Sequence, residues 1–214
     1  MGGQAEGELK DALAAFVPAS DDSEPTGTAR EILAAAELVL SGEGLEKFSM
    51  RTIASRVGIS LASLQYHFPT RAELLRQFFA YKARAYAELL RDQLLALSDD
   101  PEAALRFTLR LLLRDALDTP THALYTQLWA LACYDADARA ALDKHMHVYL
   151  KLFTLLVSRA RPGLSREATH ARAVALVSMI EGFPVTIPES ESSGPRVEAL
   201  REAVVDLALH LATA

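Results

Sequence analysis

The chain has 214 residues, a formal net charge of -6 and 50% hydrophobic residues, which is enough apolar material for the buried core of one or two compact domains. A single cysteine, Cys133, excludes an internal disulfide and is predicted to be a small buried apolar side chain. The first residues lack a signal-peptide pattern and no segment approaches 18 uninterrupted apolar residues, so we expect a cytoplasmic protein without a membrane span.

The beginning of the chain divides into a tail and a first helix. Residues 1–25 hold six acidic residues against one basic residue, with Gly, Pro and Ser, which predicts a mobile acidic tail containing at most a transient helix over Leu9–Val17. Thr28 and Glu31 have the spacing of a capping box and mark the start of the first firm helix. One face of this helix is apolar, with Ile32, Leu33, Ala36, Val39 and Leu40, and should cover the elements that follow.

Residues 47–71 form a basic island in an acidic chain. They carry four basic residues, Lys47, Arg51, Arg56 and Arg71, and no acidic residue. Apolar residues fall at helical spacing up to Gly58, where the pattern breaks, and a second short helix follows. Ser49 and Ser60 precede the two helices, where each can accept a hydrogen bond from a backbone N–H of the first turn. This pattern predicts a helix-turn-helix, with His67 and Phe68 as core residues under the turn.

The remainder of the chain predicts further helices. Thr70 and Glu73 form a second capping box at the start of a long helix that reaches about Leu97, and its later leucines, Leu89 included, should pack on the rest of the chain. Four or five more helices are expected, over about 101–117, 121–133, 136–160, 166–183 and 195–211. No run alternates polar and apolar residues as a strand would, so the fold class is all-α.

The helix-turn-helix segment also resembles a known family. Residues 28–75, and above all SMRTIASRVGIS followed by LQYHFPTRAELL, are similar to the DNA-binding domain of TetR-family transcriptional regulators. The resemblance implies that four residues face base edges: Arg51, Leu61, Ala62 and Gln65. It implies that three more touch the sugar-phosphate backbone: Ser49, Tyr66 and Arg71. Arg51 is chemically suited to guanine and Gln65 to adenine.

The sequence offers no pattern for an enzyme. It contains no H-E-x-x-H, G-x-S-x-G or phosphate-binding loop and no cysteine pair. His145 and His147 are two residues apart in a helix, on nearly opposite faces, and cannot ligate one metal together. We therefore expect no catalytic residues, no metal site and no cofactor.

Aromatic and polar residues interrupt the apolar C-terminal helices. Each alone is most simply a core residue, and for His145 a satisfied buried histidine is favoured over a ligand contact. As a set they could line a cavity for a small apolar or aromatic effector. The candidates are Phe107, His122, Tyr125, Trp129, His145, Tyr149 and Met179.

The resemblance implies a ligand-responsive repressor that binds a pseudopalindromic double-stranded DNA operator as a homodimer. Its three-helix DNA-binding domain would occupy residues 26–75, and a helical ligand-binding and dimerisation domain residues 76–214. Helices over 166–183 and 195–211 have apolar residues on more than one face, which fits either an internal core or the dimer interface. The alternative is an all-α binding or scaffold protein that retains the helix-turn-helix as architecture, because Leu61 stands where the family often has a basic residue.

Overall fold

A computed structural model of the chain describes Gly7, Pro25 and residues 27–191 and 193–214. The predicted tail, residues 1–25 with Leu9–Val17, lies outside the described residues except at Gly7 and Pro25. The elements described are α1 Thr28–Gly42, α2 Met50–Val57, α3 Leu61–His67, α4 Arg71–Ala96, α5 Pro101–Ala116, α6 Thr119–Ala132, α7 Ala136–Ala160, α8 Arg166–Thr186 and α9 Pro195–Thr213, with 3-10 turns at Leu45–Lys47 and Glu189–Glu191. The all-α prediction is confirmed. None of the helices in these ranges is long and apolar enough to cross a membrane.

The helices group into two compact units that alternate along the chain. The first unit contains the described residues from Pro25 to Ala85 together with Thr119–Met146, and the second contains Tyr86–Asp118 with His147–Ala214 and Gly7. The helix-turn-helix of α2 and α3 belongs to the first unit, while α8 and α9 belong to the second. Helices α4 and α7 each contribute residues to both units.

Helix α1 is the centre of the first unit. It packs against α2 and, most extensively, against α6. Its predicted apolar face is fully buried at Ile32, Leu33, Ala36, Val39 and Leu40. Large side chains of α4 and α6 complete the same core. Complete burial of one such aliphatic or aromatic side chain stabilises the fold by about 1.5–3 kcal/mol, so this core fixes the platform on which α2 and α3 rest.

Most predicted helix starts are confirmed by their hydrogen bonds. The side chains of Thr70, Asp100 and Ser165 each accept from a backbone N–H three residues further on, at 3.1, 3.0 and 3.1 Å. The first helix differs, because its N-cap is Gly27 and no side chain caps it. The predicted Thr28 capping box is therefore wrong. Gly27 has φ +53°, a value that glycine adopts without a steric penalty, and this places Thr28 already inside the helix.

The second unit is built on α5, α8 and α9, each of which packs against the other two. Its core includes Leu105, Leu109, Ile180 and Val205, all with at most 2% exposure. At the surface, Arg110 makes a forked ion pair with Glu202, with Nε–Oε2 at 2.9 Å and Nη2–Oε2 at 2.5 Å. Exposed pairs contribute at most about 1 kcal/mol, so the apolar core is what holds these helices together.

Two side chains that were expected to be buried are exposed. Leu89 of α4 is 56% exposed, although Leu90 and Leu94 on the same helix are buried. Cys133 is exposed at the end of α6, where its thiol donates to the Trp129 carbonyl at 3.4 Å. Both predictions are wrong for the same reason: an apolar residue type does not determine which side of a helix, or which helix end, faces the core.

Candidate nucleic-acid interface

The first helix of the helix-turn-helix, α2, is defined by signals at both ends. Ser49 caps it, with its Oγ accepting from the Thr52 N–H at 3.1 Å. Gly58 ends it in the left-handed conformation, with φ +78° and ψ +26°. The Ile59 N–H then donates to the Ala54 carbonyl at 3.0 Å, which closes the turn. A glycine is needed here because other residues reach a positive φ only with strain, so the predicted turn is confirmed.

The second helix, α3, presents one face to the core and another to solvent. Ser60 caps it, with its Oγ accepting from the Ser63 N–H at 3.0 Å. Leu64 is fully buried and Phe68, which follows the helix, is 4% exposed. His67 is exposed, so its predicted core position is wrong. The backbone turns extended at Phe68, and it is the Phe68 ring that enters the core instead.

Most of the residues predicted to contact DNA lie on the exposed surface of this motif. Arg51, Ala62 and Gln65 are exposed, and Leu61 is half-buried. Tyr66 is 85% exposed, with its ring edge-on to the His67 ring at a centroid distance of 5.4 Å. The Ser49 hydroxyl is exposed but already engaged, because its oxygen also lies 2.8 Å from the Thr52 hydroxyl. An exposed helix face of this kind can enter the DNA major groove.

Two cations of the basic island are paired with carboxylates from outside it. Arg56 of α2 donates to Glu43, which follows α1. Arg71, the first residue of α4, donates to Asp135, which precedes α7. Within the described ranges, Lys47 and Arg51 make no ion pair, so the unneutralised charge of the island is concentrated at these two positions. The sequence prediction missed Glu43 and Asp135, and no local pattern in the chain connects either of them to the island.

Asp135 holds two groups at once. Its Oδ1 accepts from the Ala138 N–H at 2.9 Å and so caps α7, while its Oδ2 accepts from Arg71. The backbone hydrogen bond from Ala138, followed by the bond from Arg71, lowers the pKa of the Asp135 carboxyl below its ordinary value against the opposing effect of burial. The Arg71 guanidinium also lies over the Phe48 ring, 5.5 Å from its centroid.

The candidate effector residues fall in both units. His122, Tyr125, Trp129 and His145 belong to the first unit, and Phe107, Tyr149 and Met179 to the second. Tyr149 is buried and packs edge-on against Phe153, with ring centroids 5.5 Å apart, as a core residue would. The other six are half-buried. These contacts assign packing to Tyr149, while the half-buried side chains keep some surface available for a ligand.

His145 lies in a cluster of aromatic rings inside the first unit. Its ring centroid is 5.4 Å from that of Phe79 and 5.9 Å from that of Tyr125, and its Nδ1 is inaccessible to solvent. Burial, followed by the charge of Lys82, lowers the pKa of His145 to about 4. The Lys82 ammonium itself donates to Glu37 of α1 at 2.8 Å. A neutral histidine is therefore part of the packing between α4, α6 and α7.

Comparison with known proteins places this motif in context. Residues 32–78 match the family profile of bacterial regulatory proteins of the tetR family. The chain is 29% identical over 181 residues to an uncharacterized HTH-type transcriptional regulator in the dhlA 5' region of Xanthobacter autotrophicus. The aligned region covers 82% of this chain and 88% of that protein.

Several solved structures share the fold, and two of them illustrate the similarity. A crystal structure of a putative TetR-family regulator from Mesorhizobium loti has a TM-score of 0.61 at 20% identity and covers 86% of this chain and 93% of that chain. NalD is the secondary repressor of the MexAB-OprM multidrug efflux pump in Pseudomonas aeruginosa. Its structure has a TM-score of 0.57 at 16% identity, and the match covers 95% of this chain and 96% of the NalD chain.

Proposed function

We propose that the chain is a DNA-binding transcriptional regulator of the TetR family, a ligand-responsive repressor that binds a pseudopalindromic operator as a homodimer. One observation carries the proposal: the capped helix α3 exposes Ala62, Gln65 and Tyr66, and Arg51 of the preceding helix is exposed and makes no ion pair with the described residues. We assign DNA reading to residues 26–75, and effector binding and dimerisation to residues 76–214. Repression is favoured because NalD, which shares the fold, is a repressor.

We assign the reading of base edges to Arg51, Leu61, Ala62 and Gln65, and contacts to the sugar-phosphate backbone to Ser49 and Tyr66; the family resemblance adds Arg71 to the second group. The exposure of Arg51, Ala62 and Gln65 supports their part in this assignment. Tyr66 is exposed enough for its hydroxyl to donate to a phosphate. Arg71 fits the assignment least well, because its guanidinium already donates to Asp135.

The homodimer is supported by the surface of α8 and α9. Val174 is 40% exposed, Leu207 63% and Leu211 39%, so both helices carry apolar side chains that face solvent in the single chain. A helix-turn-helix protein needs two recognition helices about 34 Å apart to bind successive major grooves, and a twofold dimer supplies two such helices. Val177 is only 7% exposed and Val204 half-buried, so the interface would be formed by the more exposed positions of these helices.

For the effector, we propose a small apolar or aromatic molecule that contacts the half-buried candidates within a single unit. The candidates of the first unit are His122, Tyr125, Trp129 and His145; those of the second are Phe107 and Met179, together with the buried Tyr149. Apolar burial at about 25 cal/mol per Å² can supply micromolar affinity, and the Tyr125 hydroxyl can orient a polar group. To release the operator, the effector must bind one conformation better; a tenfold preference corresponds to about 1.4 kcal/mol per site.

The operator can be found by selecting duplexes with the purified protein from a randomised pool and then comparing affinity for the selected and a scrambled duplex. We expect a selected sequence with twofold symmetry, bound by two chains. Equal affinity for selected and scrambled duplexes across a range of salt concentrations would contradict the operator-reading proposal and favour the scaffold alternative.

Effector binding can be followed through Trp129, the single tryptophan. We expect apolar aromatic compounds to change its fluorescence and to release the operator over the same concentration range. Tyr125→Phe, which removes only a hydroxyl, should weaken binding of compounds with a polar group and spare their apolar analogues. Compounds that alter Trp129 emission while operator affinity stays constant would contradict the coupling between effector and DNA.

A further inference from the structure

The contacts of Arg71 point to a role other than the one that the family resemblance suggests. Arg71 is the first residue of α4, separated from recognition helix α3 by Phe68, Pro69 and Thr70. A cation at a helix N-terminus faces the positive end of the helix dipole, which is unfavourable by a few tenths of a kcal/mol to about 1 kcal/mol unless an anion compensates. Glu73 lies in the same first turn, and Asp135, 64 residues away in the chain, is the anion to which the Arg71 guanidinium donates.

Both partners of the pair are fixed by further contacts. Asp135 is the N-cap of α7 through Ala138, so its carboxylate cannot move without uncapping that helix. The Arg71 guanidinium is held over Phe48, whose ring is 6% exposed and belongs to the core of the first unit. The side chains of Arg71 and Asp135 are 32% and 24% exposed, which leaves the pair partly shielded from solvent and salt.

Arg71 also differs in net charge from Lys47 and Arg51, the cations of the basic island that make no ion pair among the described residues. Counterion release on DNA binding follows the positive charge that a protein brings to the phosphates. A guanidinium whose charge is neutralised by its own carboxylate adds little to that sum. Arg51, which makes no ion pair among the described residues, adds its full charge.

We propose that Arg71 and Asp135 act together as positioning residues that tie the start of α4, directly after the recognition helix, to the start of α7, and that Arg71 supports operator binding through this pair rather than through a phosphate. The inference rests on the operator-reading function proposed above. It makes Asp135 a determinant of DNA affinity although it lies outside the helix-turn-helix. It also identifies a contact through which a displacement of α7 would shift the start of α4 and, with it, the adjoining helix-turn-helix.

The test uses Arg71→Gln, Asp135→Asn and the double variant in the full chain. Asparagine is as good an N-cap as aspartate, so Asp135→Asn removes the charge and retains the cap of α7. Asp137→Asn is the matched control, because Asp137 is an exposed acid in the first turn of the same helix. Arg51→Gln is the control for the loss of an unpaired cation. Affinity for the selected duplex is measured against salt concentration, and thermal unfolding is measured for each variant.

We expect Arg71→Gln and Asp135→Asn each to weaken operator binding about three- to fivefold, and the double variant to be no weaker than either single variant. The slope of log affinity against log salt should stay at the wild-type value for Arg71→Gln and for the double variant, which carry no guanidinium at position 71. Arg51→Gln should reduce that slope by about 0.9 for each protomer bound, and Asp137→Asn should leave both affinity and slope unchanged.

Different results would overturn the inference. If Arg71→Gln reduces the slope by about 0.9 while Asp135→Asn leaves affinity the same or increases it, Arg71 is a phosphate contact and Asp135 competes with the DNA. Multiplying effects in the double variant, or no effect of either change, would equally refute positioning by the pair. If instead the wild type shows no preference for the selected duplex and Arg51→Gln changes nothing, the proposed function fails. Thermal unfolding of the wild type, the two single variants and the double variant would then still show whether Arg71 and Asp135 are energetically coupled in the folded chain.

Discussion

The Tyr125 hydroxyl lies 3.4 Å from Nε2 of His145, joining α6 to α7 inside the first unit. The two rings are tilted by 32° with centroids 5.9 Å apart, and the ring centroid of Phe79 of α4 lies 5.4 Å from that of the imidazole. This enclosure is the physical reason that the pKa of His145 falls to about 4 from 6.5.

Stability should decrease as the pH falls from about 6.5 to about 4. In the unfolded chain His145 takes up a proton near pH 6.5, whereas in the folded chain it does so only near pH 4, so the stabilisation is complete above the unfolded pKa and is lost on acidification. The difference corresponds to up to about 3 kcal/mol. Urea unfolding of wild type and His145→Leu across this range measures it: the variant should lose less stability than the wild type on going from pH 7 to pH 4.

The matched control for this prediction is His147→Leu, two residues further along α7 and exposed. It should retain the pH dependence of the wild type. If His145→Leu and the wild type lose the same stability on acidification, the depressed pKa of His145 is not the cause.

Changing Gly58 and Gly42 to alanine should have opposite effects on stability. Gly58 has φ +78°, so Gly58→Ala forces a strained left-handed conformation and should destabilise by about 1 kcal/mol. Gly42 ends α1 without a positive φ and has no atom within 4 Å of an added Cβ, so Gly42→Ala should stabilise by up to about 1 kcal/mol. Equilibrium unfolding measures the change in the free energy of unfolding for each variant. A change of the same sign in both variants would contradict the strain argument.

Arg51→Ala should reduce discrimination between the selected and a mutated operator by about 1–3 kcal/mol, because a bidentate arginine–guanine contact accounts for that much. The matched comparison is Arg56→Ala, which removes a cation of the same helix whose charge is already neutralised by Glu43. Competition binding with single-base operator variants measures both. A larger loss of discrimination from Arg56→Ala than from Arg51→Ala would contradict the assignment of base reading to Arg51.

Leu207→Glu should convert the proposed dimer into a folded monomer. Leu207 is 63% exposed in the single chain, so a carboxylate there costs little in the monomer but would be buried unpaired in the interface. Leu89→Glu is the matched control, since Leu89 is also 56% exposed but lies on α4. Analytical ultracentrifugation at micromolar concentration separates the outcomes, and a stable wild-type monomer would refute the interface. Val177 is unsuitable for this test because it is buried within the second unit.

Local features of the fold followed from the sequence because the groups that produce them are three or four residues apart. Ser49 and Ser60 cap their helices, Gly58 takes the positive φ, and the apolar face of α1 is buried, as the spacing of these residues predicted. Hydrogen bonds from a side chain to the next turn, and the 3.6-residue period of a helix, are properties of the chain itself. The helix-turn-helix was therefore accessible without a structure.

The tertiary structure alone decided which charges of that motif are free. The sequence shows four basic residues in residues 47–71 without an acid among them, yet Glu43 neutralises Arg56 from 13 residues away and Asp135 neutralises Arg71 from 64. The same holds for the exposure of Cys133 and His67 and for the burial of Val177. Each depends on how helices distant in sequence are packed, and Coulomb attraction and burial act on distance in space, which the local pattern of residues does not contain.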